Sequence, residues 1–226
     1  MQDIIVAIDG YSGCGKSSTA KEVARFLGYV YLDSGAMYRA VTLFFLRENV
    51  DISSSDAVCD ALNKINIHFE RNNDTHENET YLNGENVESE IRKMEVSDFV
   101  SDVSALPAVR LKMVEQQRRM GGNKRVVMDG RDIGTNVFPE AELKVFMTAD
   151  LKVRAHRRKI ELQQKGVDAA LEEIQKNLAE RDRLDTQRSE NPLIQAKDAI
   201  VIDTTFLEFA EQVDQITRLA TKLIKD

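Results

Sequence analysis

Apolar residues follow two alternating rhythms along this chain. Short runs with strand character, at 4–8, 29–32, 125–129, 143–148 and 199–203, alternate with stretches whose apolar positions recur at helical spacing. Helices are expected over about 15–27, 34–48, 53–63, 93–104, 107–120, 150–165, 168–184 and 206–224. Strands and helices in alternation are the pattern of a parallel sheet built from βαβ units. One segment breaks the rhythm. Over 65–89, Ile65, Ile67 and Phe69 alternate with polar residues, a polar loop expected to be mobile follows at 72–79, and Asn83-Gly84 has the chemistry of a two-residue hairpin turn. That predicts a small antiparallel sheet inserted into the α/β body.

Length and charge narrow the class. With 226 residues the chain can bury one substantial α/β core but not two large independent ones. Its 42% hydrophobic and 31% charged composition is that of a soluble protein, and no apolar run reaches the roughly 18 residues a membrane span needs. The opening "MQDIIVAIDG" reads as a core strand with an acidic flank rather than a signal peptide. Cys14 and Cys59 make no disulfide framework, and His68, His76 and His156 lack metal-ligand spacing, so a reducing cytoplasm is expected. The N-x-T triplets at Asn73 and Asn78 carry no meaning there. A net charge of −7 disfavours a nucleic-acid polymer or a membrane surface as partner, so any anion must be held by locally clustered cations. No long apolar stripe is left unassigned, and a monomer is expected.

The strongest chemical signal follows the first strand. "GYSGCGKS", Gly10 to Ser17, satisfies G-x-x-x-x-G-K-[ST] between a strand and a helix. Gly10, Gly13 and Gly15 let consecutive N–H groups turn inward on phosphate oxygens, where the helix N-terminus adds partial positive charge. Lys16 would reach the β- and γ-phosphates, and the Ser17 hydroxyl is placed to ligate Mg²⁺. Cys14 reads as a small filler in a loop that tolerates small residues, with a reactive thiol at a helix N-terminus as the alternative.

Three further motifs separate the many proteins that share such a loop. "NKIN" and "NKRV" lack the aspartate of an N-K-x-D guanine reader, which disfavours a GTPase. In "YLDSGAMYRA", Asp33 or Ser34 can cap a helix that carries Arg39, giving a second anion site. "VVMDGRDIGT" ends a buried strand in Asp129, Gly130, Arg131 and Asp132, at the sheet edge where ligands bind. Beyond it, Arg154, Arg157 and Arg158 share one helical face and Arg181 lies on the next helix, two helices joined by "QKGVD" as in a hinged lid. Lys152, Lys159 and Arg183 read as solvated charges. These features leave open a kinase for any of several small acceptors, and a nucleotide sensor without turnover.

Taken together, "IDGYSGCGKSS", "YLDSGAMYRA", "GENVESEIR", "VSALPAVR", "DGRDIGTNVFP", "KVFMTAD", "RAHRR", "ERDRLD" and "DAIVIDTT", spread over residues 8 to 205, resemble the bacterial cytidylate (CMP) kinases, a nucleoside monophosphate kinase family. The resemblance implies an α/β P-loop fold with a parallel five-stranded sheet flanked by helices, a small antiparallel insert and a helical lid. It implies one kinase unit over 1–226, with its core at 1–32, 106–149 and 192–226, a nucleotide-acceptor region at 33–105 holding an insert at about 64–91, and a lid at about 150–191. ATP, with Mg²⁺ at Ser17, would lie on Gly10, Tyr11, Ser12, Gly13, Cys14, Gly15, Lys16, Ser17 and Ser18, with Arg157 nearby. CMP or dCMP would meet Ser34, Tyr38, Arg39, Arg92 and Arg131. Cytosine would be read by Ser101, Arg110 and Asp132, and the sugar by Asp185 and Arg188. Lys16, Arg131, Arg154, Arg158 and Arg181 would neutralise the transferring phosphoryl group. Cys14, where alanine or serine is more usual, and "SENPL" depart from the family pattern without touching these groups.

Overall fold

A computed structural model describes residues 2–72, 74, 78–164 and 166–225. Eight strands and eight α-helices are described: β1 (Ile5–Gly10), α1 (Lys16–Leu27), β2 (Val30–Asp33), α2 (Ser34–Arg47), α3 (Ser55–Asn63), β3 (Ile67–Arg71), β4 (Asn78–Leu82), β5 (Glu85–Asn86), α4 (Met94–Ala105), α5 (Pro107–Met120), β6 (Val126–Gly130), β7 (Leu143–Thr148), α6 (Leu151–Gln164), α7 (Leu171–Gln187), β8 (Ile200–Asp203) and α8 (Phe209–Lys225). The chain divides into two compact units, Met1–Tyr31 with Asn123–Asp226, and Leu32–Gly122.

The first unit is organised by a five-stranded sheet in the order β2-β6-β1-β7-β8. β1 is central, parallel to β6 and β7, and all six of its residues are buried, as expected for a strand covered on both faces. Ile4, Val6, Ile8, Val127, Val145 and Met147 pack with Ala20, Val23 and Ala24 of α1 and with Ile216 and Ala220 of α8. Strand register then fixes the site, because Asp9 lies beside Gly130 and Gly10 beside Met147 at the carboxyl edge of the sheet. Gly28 ends α1 at φ 66°, its N–H reaching back to the last turn. The α6–α7 hairpin has its own small core of Ala155, Ile174 and Leu178.

The second unit packs α2 and α4 around Met37, Val41, Phe45, Val96, Val100 and Val103, and carries a three-stranded antiparallel sheet, β3-β4-β5. Asn83 and Gly84 join β4 to β5 at φ 52° and 84°, the two positive values a tight hairpin turn requires. The loop expected at 72–79, and the N-x-T triplet at Asn73, lie partly outside the described residues, as does the 165 position of the hairpin link.

The strands and most helices fall where the apolar rhythm places them, with instructive differences. α5 clusters with the second unit although 106–149 reads as core, because it packs on α2, α3 and α4. α7 starts at Leu171 instead of 168, since Gly166 turns at φ 74° after α6, residues 167–170 are not helical, and Ala170 stands extended at the start of the next helix. A π-helical turn at Ile133–Val137 and a 3₁₀ turn at Glu90–Arg92 carry no apolar periodicity of their own.

Candidate active site

β1 ends on Gly10 at φ 146°, where the loop passes so close to β7 that a Cβ would fall 1.9 Å from the Met147 carbonyl oxygen. Gly13 and Gly15 turn at φ 77° and 96°, and α1 begins at Lys16 with no side chain capping it and no acid in its first turn. Its leading N–H groups and dipole are thereby left for an anion. Lys16 is buried, its Nζ donating to the Tyr11 carbonyl at 2.6 Å. Burial, then the nearby Arg131, push the Lys16 ammonium below its usual pKa, and a bound polyanion would reverse that.

The Ser17 hydroxyl donates to Asp129 Oδ2 at 2.8 Å, and Asp129 Oδ1 accepts from the Tyr31 hydroxyl at 2.8 Å. Asp129 is buried at the end of β6, beside β1. A hydroxyl and a carboxylate, both hard oxygen donors, suit a Mg²⁺ ion that takes most of its ligands from phosphate and water. Sequence reasoning placed Asp129 at the sheet edge without linking it to Ser17.

The arginines of the first unit separate into committed and uncommitted groups. Arg154 is buried, its Nε donating to Ala149 O at 2.9 Å and its Nη1 to Ser12 O at 3.2 Å and Asp182 at 2.7 Å, with the guanidinium over the Tyr11 ring. Arg157 donates to the Thr204 hydroxyl at 3.0 Å and carbonyl at 2.6 Å, while Thr204 in turn donates to Cys14 O at 2.9 Å. Arg154 and Thr204 thus brace the outer side of the glycine loop. Arg158 pairs with Glu161 on its own helix at 2.7 Å. Arg131 pairs with Asp185 at 2.7 Å. Burial alone would raise the Asp185 pKa, but Arg131, with Arg181 and Arg188, holds it below the usual carboxylate range. Arg181 is half-buried and, among the described residues, makes no hydrogen bond or ion pair. Burial and then repulsion from Arg131, with Arg158 adding to it, push its pKa down to about 10.

Asp132 is buried and accepts from Arg188 at 3.2 Å and from the Asn136 amide at 3.0 Å. Arg131, Asp132, Asp185 and Arg188 are thus brought together as two ion pairs within one unit.

In the second unit Asp33, not Ser34, caps α2, accepting from the Ala36 N–H at 2.9 Å, and Ser34 is the buried first helical residue. Arg39 donates to Ile91 O at 3.0 Å and Ser97 Oγ at 2.9 Å. Arg92 bridges Asp33 and Glu88 at 2.9 and 2.8 Å. Arg110 is buried, donates to Ser104 O at 3.3 Å and lies 5.6 Å over the Tyr38 ring. Half-buried Ser101 lies on α4, one turn from Ser104, whose hydroxyl donates to its carbonyl at 3.1 Å. Two groupings result, Tyr38–Arg110 with the Ser101–Ser104 turn, and Arg39 on α2 with Arg92 paired to the Asp33 cap of that helix.

A glycine loop opening a helix, an aspartate at the end of the adjacent strand and arginines on a helical hairpin define a P-loop phosphotransferase. A family model described as cytidylate kinase matches residues 6–222. The cytidylate kinase of Cytophaga hutchinsonii is 57% identical over 220 residues, 97% of this chain and 94% of that protein. That of Flavobacterium johnsoniae is 51% identical over 228 residues, 100% and 99% of the two. The crystal structure of shikimate kinase from Bacteroides thetaiotaomicron shares the fold alone, with a TM-score of 0.52 and 12% identity over the full length of both chains. The chain belongs to the cytidylate kinase family and is a nucleotide kinase. Among the described residues no helix is long and apolar enough to cross a membrane.

Proposed function

We propose that the chain transfers the γ-phosphoryl group of ATP to CMP, and to dCMP, releasing ADP and the pyrimidine diphosphate. The observation that carries this reading is the set of cations at the glycine loop, where Lys16, Arg131 and Arg181 stand close enough to act on one another electrostatically. Arg181 makes no hydrogen bond or ion pair among the described residues and stands within electrostatic reach of Arg131 and Arg158, which repel it, and of Asp185 and Asp182, which attract it, and a bound polyanion would add to the attraction.

ATP is assigned to Gly10–Ser18, with Lys16 on the β- and γ-phosphates and Arg157 holding the neighbouring Thr204 segment in place. Ser17, with Asp129 behind it, would hold Mg²⁺, which supplies charge neutralisation to the phosphates. By the resemblance to the family, acceptor-binding roles are proposed for Ser34, Tyr38, Arg39, Arg92, Ser101 and Arg110 within the second unit and, separately, for Arg131, Asp132, Asp185 and Arg188 within the first. The acceptor needs no general base. Its phosphate has a second pKa near 6 and is already mostly dianionic at neutral pH. What the protein must supply is charge compensation for two polyanions and for the transferring group, the part given to Lys16, Arg131, Arg158 and Arg181, with Arg154 fixing the loop and hairpin. Closure of a lid at about 150–191 would exclude water as a competing acceptor.

Asp132, a carboxylate and so an acceptor only, would accept from the exocyclic amine of cytosine. Uracil presents an oxygen at that position and would be repelled. Asp185 would accept from a sugar hydroxyl. The two cysteines, one buried in the loop and one exposed and both unpaired, suit a reducing cytoplasm, and the assigned residues all come from one chain, so a monomer suffices.

The test is an ADP-release assay with Mg·ATP that offers CMP, dCMP, UMP, AMP, dTMP and shikimate in turn. Turnover strongly favouring CMP and dCMP is expected. Turnover with another acceptor, or ATP hydrolysis with none, would discard the cytosine pocket. In the same assay Asp132→Asn is expected to reduce the CMP-over-UMP ratio of kcat/KM by about 10- to 100-fold, the worth of one well-placed polar pair. An unchanged ratio would mean that the base is read elsewhere.

A further inference from the structure

Asp9 is a buried carboxylate with no part in the assignments above. It closes β1, one residue before the glycine loop, and is 5% exposed. Both oxygens are used in one direction, Oδ1 accepting from the Ile133 N–H and Oδ2 from the Gly134 N–H, each at 2.8 Å. Those two amides open the π-helical turn, which is completed by Val137 N–H to Asp132 O at 3.1 Å and Phe138 N–H to Ile133 O at 2.7 Å. The strand ladder also aligns Asp9 with Gly130. The backbone is therefore fixed to Asp9 on both sides of two residues, Arg131 and Asp132.

We propose that Asp9 is a positioning residue for substrate discrimination, whose carboxylate clamps the π-helical turn so that Arg131 and Asp132 present their side chains in the orientation that selects the base. The inference rests on the reading of Asp132 as the base-recognising group. A π-helical turn is rarer and less stable than an α or 3₁₀ turn, so it needs an external anchor. The anchor must be doubly accepting. An amide side chain of the same shape offers one acceptor and turns an NH₂ group toward the second N–H, and small displacements of a recognition group are enough to lose its selectivity. The carboxylate is also unfavourable where it stands. Burial pushes its pKa up to about 6 and Asp132 adds to this, against the two N–H bonds and Lys16, which oppose it. A plain filler at this position would not carry that cost.

The test is a double-mutant cycle on discrimination. Wild type, Asp9→Asn, Asp132→Asn and the double variant are assayed with CMP and UMP. Asp9→Asn is expected to raise KM for CMP about 10-fold while leaving KM for ATP within about twofold, and to lower the CMP-over-UMP ratio toward that of Asp132→Asn. The double variant should lose no more discrimination than Asp132→Asn alone, since both substitutions disable one device. A rise in KM for ATP equal to that for CMP, or fully additive losses of discrimination, would overturn the proposal, because a loosened core weakens both substrates and couples to neither. If wild type itself fails to prefer CMP, the base-reading assignment falls and this inference with it. A wild-type preference that is indifferent to Asp9 removes this inference alone. Should Asp9→Asn not fold, amide hydrogen exchange on the wild-type chain decides. The clamp requires Ile133 and Gly134 to be as protected as the interior of β1, and exchange at the rate of an open loop would exclude it.

Discussion

Arg181→Ala is expected to lower kcat by about 10²–10³-fold with little change in KM for CMP, the loss typical of removing a single preorganised charge stabiliser. The argument starts from what Arg181 lacks. Arg131, Arg154 and Arg158 each pair with a carboxylate, whereas Arg181 makes no hydrogen bond or ion pair among the described residues and its pKa is driven down to about 10 by burial and by Arg131. A guanidinium in that setting has little to lose and much to gain when charge develops on equatorial phosphoryl oxygens. Its effect should appear in the chemical step, read by single-turnover quench, and not in acceptor binding. The sign of the stability effect is opposite. Because folding lowers the pKa of Arg181, which stays charged at neutral pH, carrying that charge costs stability in the folded chain, and removing it should leave Tm unchanged or slightly raised. Arg183→Ala serves as control, since Arg183 is exposed and pairs only along its own helix with Glu180 and Gln187. An Arg181→Ala variant with wild-type kcat would remove Arg181 from the reaction and with it a main support for the phosphoryl-neutralising role of this arginine set.

That distinction among arginines could not be drawn from sequence. Arg154, Arg157 and Arg181 look alike there, as cations on helical faces in a net acidic chain. Packing separates them, for Arg154 is spent on Ser12, Ala149 and Asp182, Arg157 is spent on Thr204, and Arg181 is left over. What was legible was local. The continuous apolar runs of β1 and β7, the glycine spacing of the loop and the Asn83-Gly84 turn each depend on neighbours a few residues away. What was not legible depends on partners far along the chain. Ser17 and Asp129 are 112 residues apart, and Asp9 and Ile133 are 124 apart. The π-helical turn belongs to the same class, since nothing within Ile133–Val137 favours it over an α turn until Asp9 supplies two acceptors. The capping choice between Asp33 and Ser34 was open in sequence for a different reason. Either side chain has the chemistry, and the backbone geometry at the strand end selects Asp33.

Gly10→Ala is expected to abolish folding, with a loss of more than about 4 kcal/mol, a size reserved for changes the structure cannot absorb. Two independent constraints meet at this position. The backbone sits at φ 146°, outside the range an L side chain adopts easily, and the added Cβ would lie 1.9 Å from the Met147 carbonyl oxygen and 2.9 Å from its carbon. The obstacle is backbone of β7, the strand paired with β1 in the middle of the sheet, so no side-chain rotation relieves it. Two other glycines separate the constraints. At Gly28 the φ of 66° lies in the left-handed region, which alanine enters at a modest cost, and nothing lies within 4 Å of the new Cβ, so Gly28→Ala should cost only the backbone term, about 1–2 kcal/mol. At Gly15 the φ of 96° is joined by a contact at 2.9 Å, but the atom met is the Gln212 side-chain oxygen, which can withdraw at the cost of its bond from the Thr19 hydroxyl. Urea unfolding should therefore give Gly28→Ala a higher midpoint than Gly15→Ala and show no cooperative transition for Gly10→Ala. A Gly10→Ala protein with near wild-type midpoint and nucleotide affinity would mean that the loop leaves β1 by another path, and that the close approach of β1 to β7 does not set the position of the phosphate cradle.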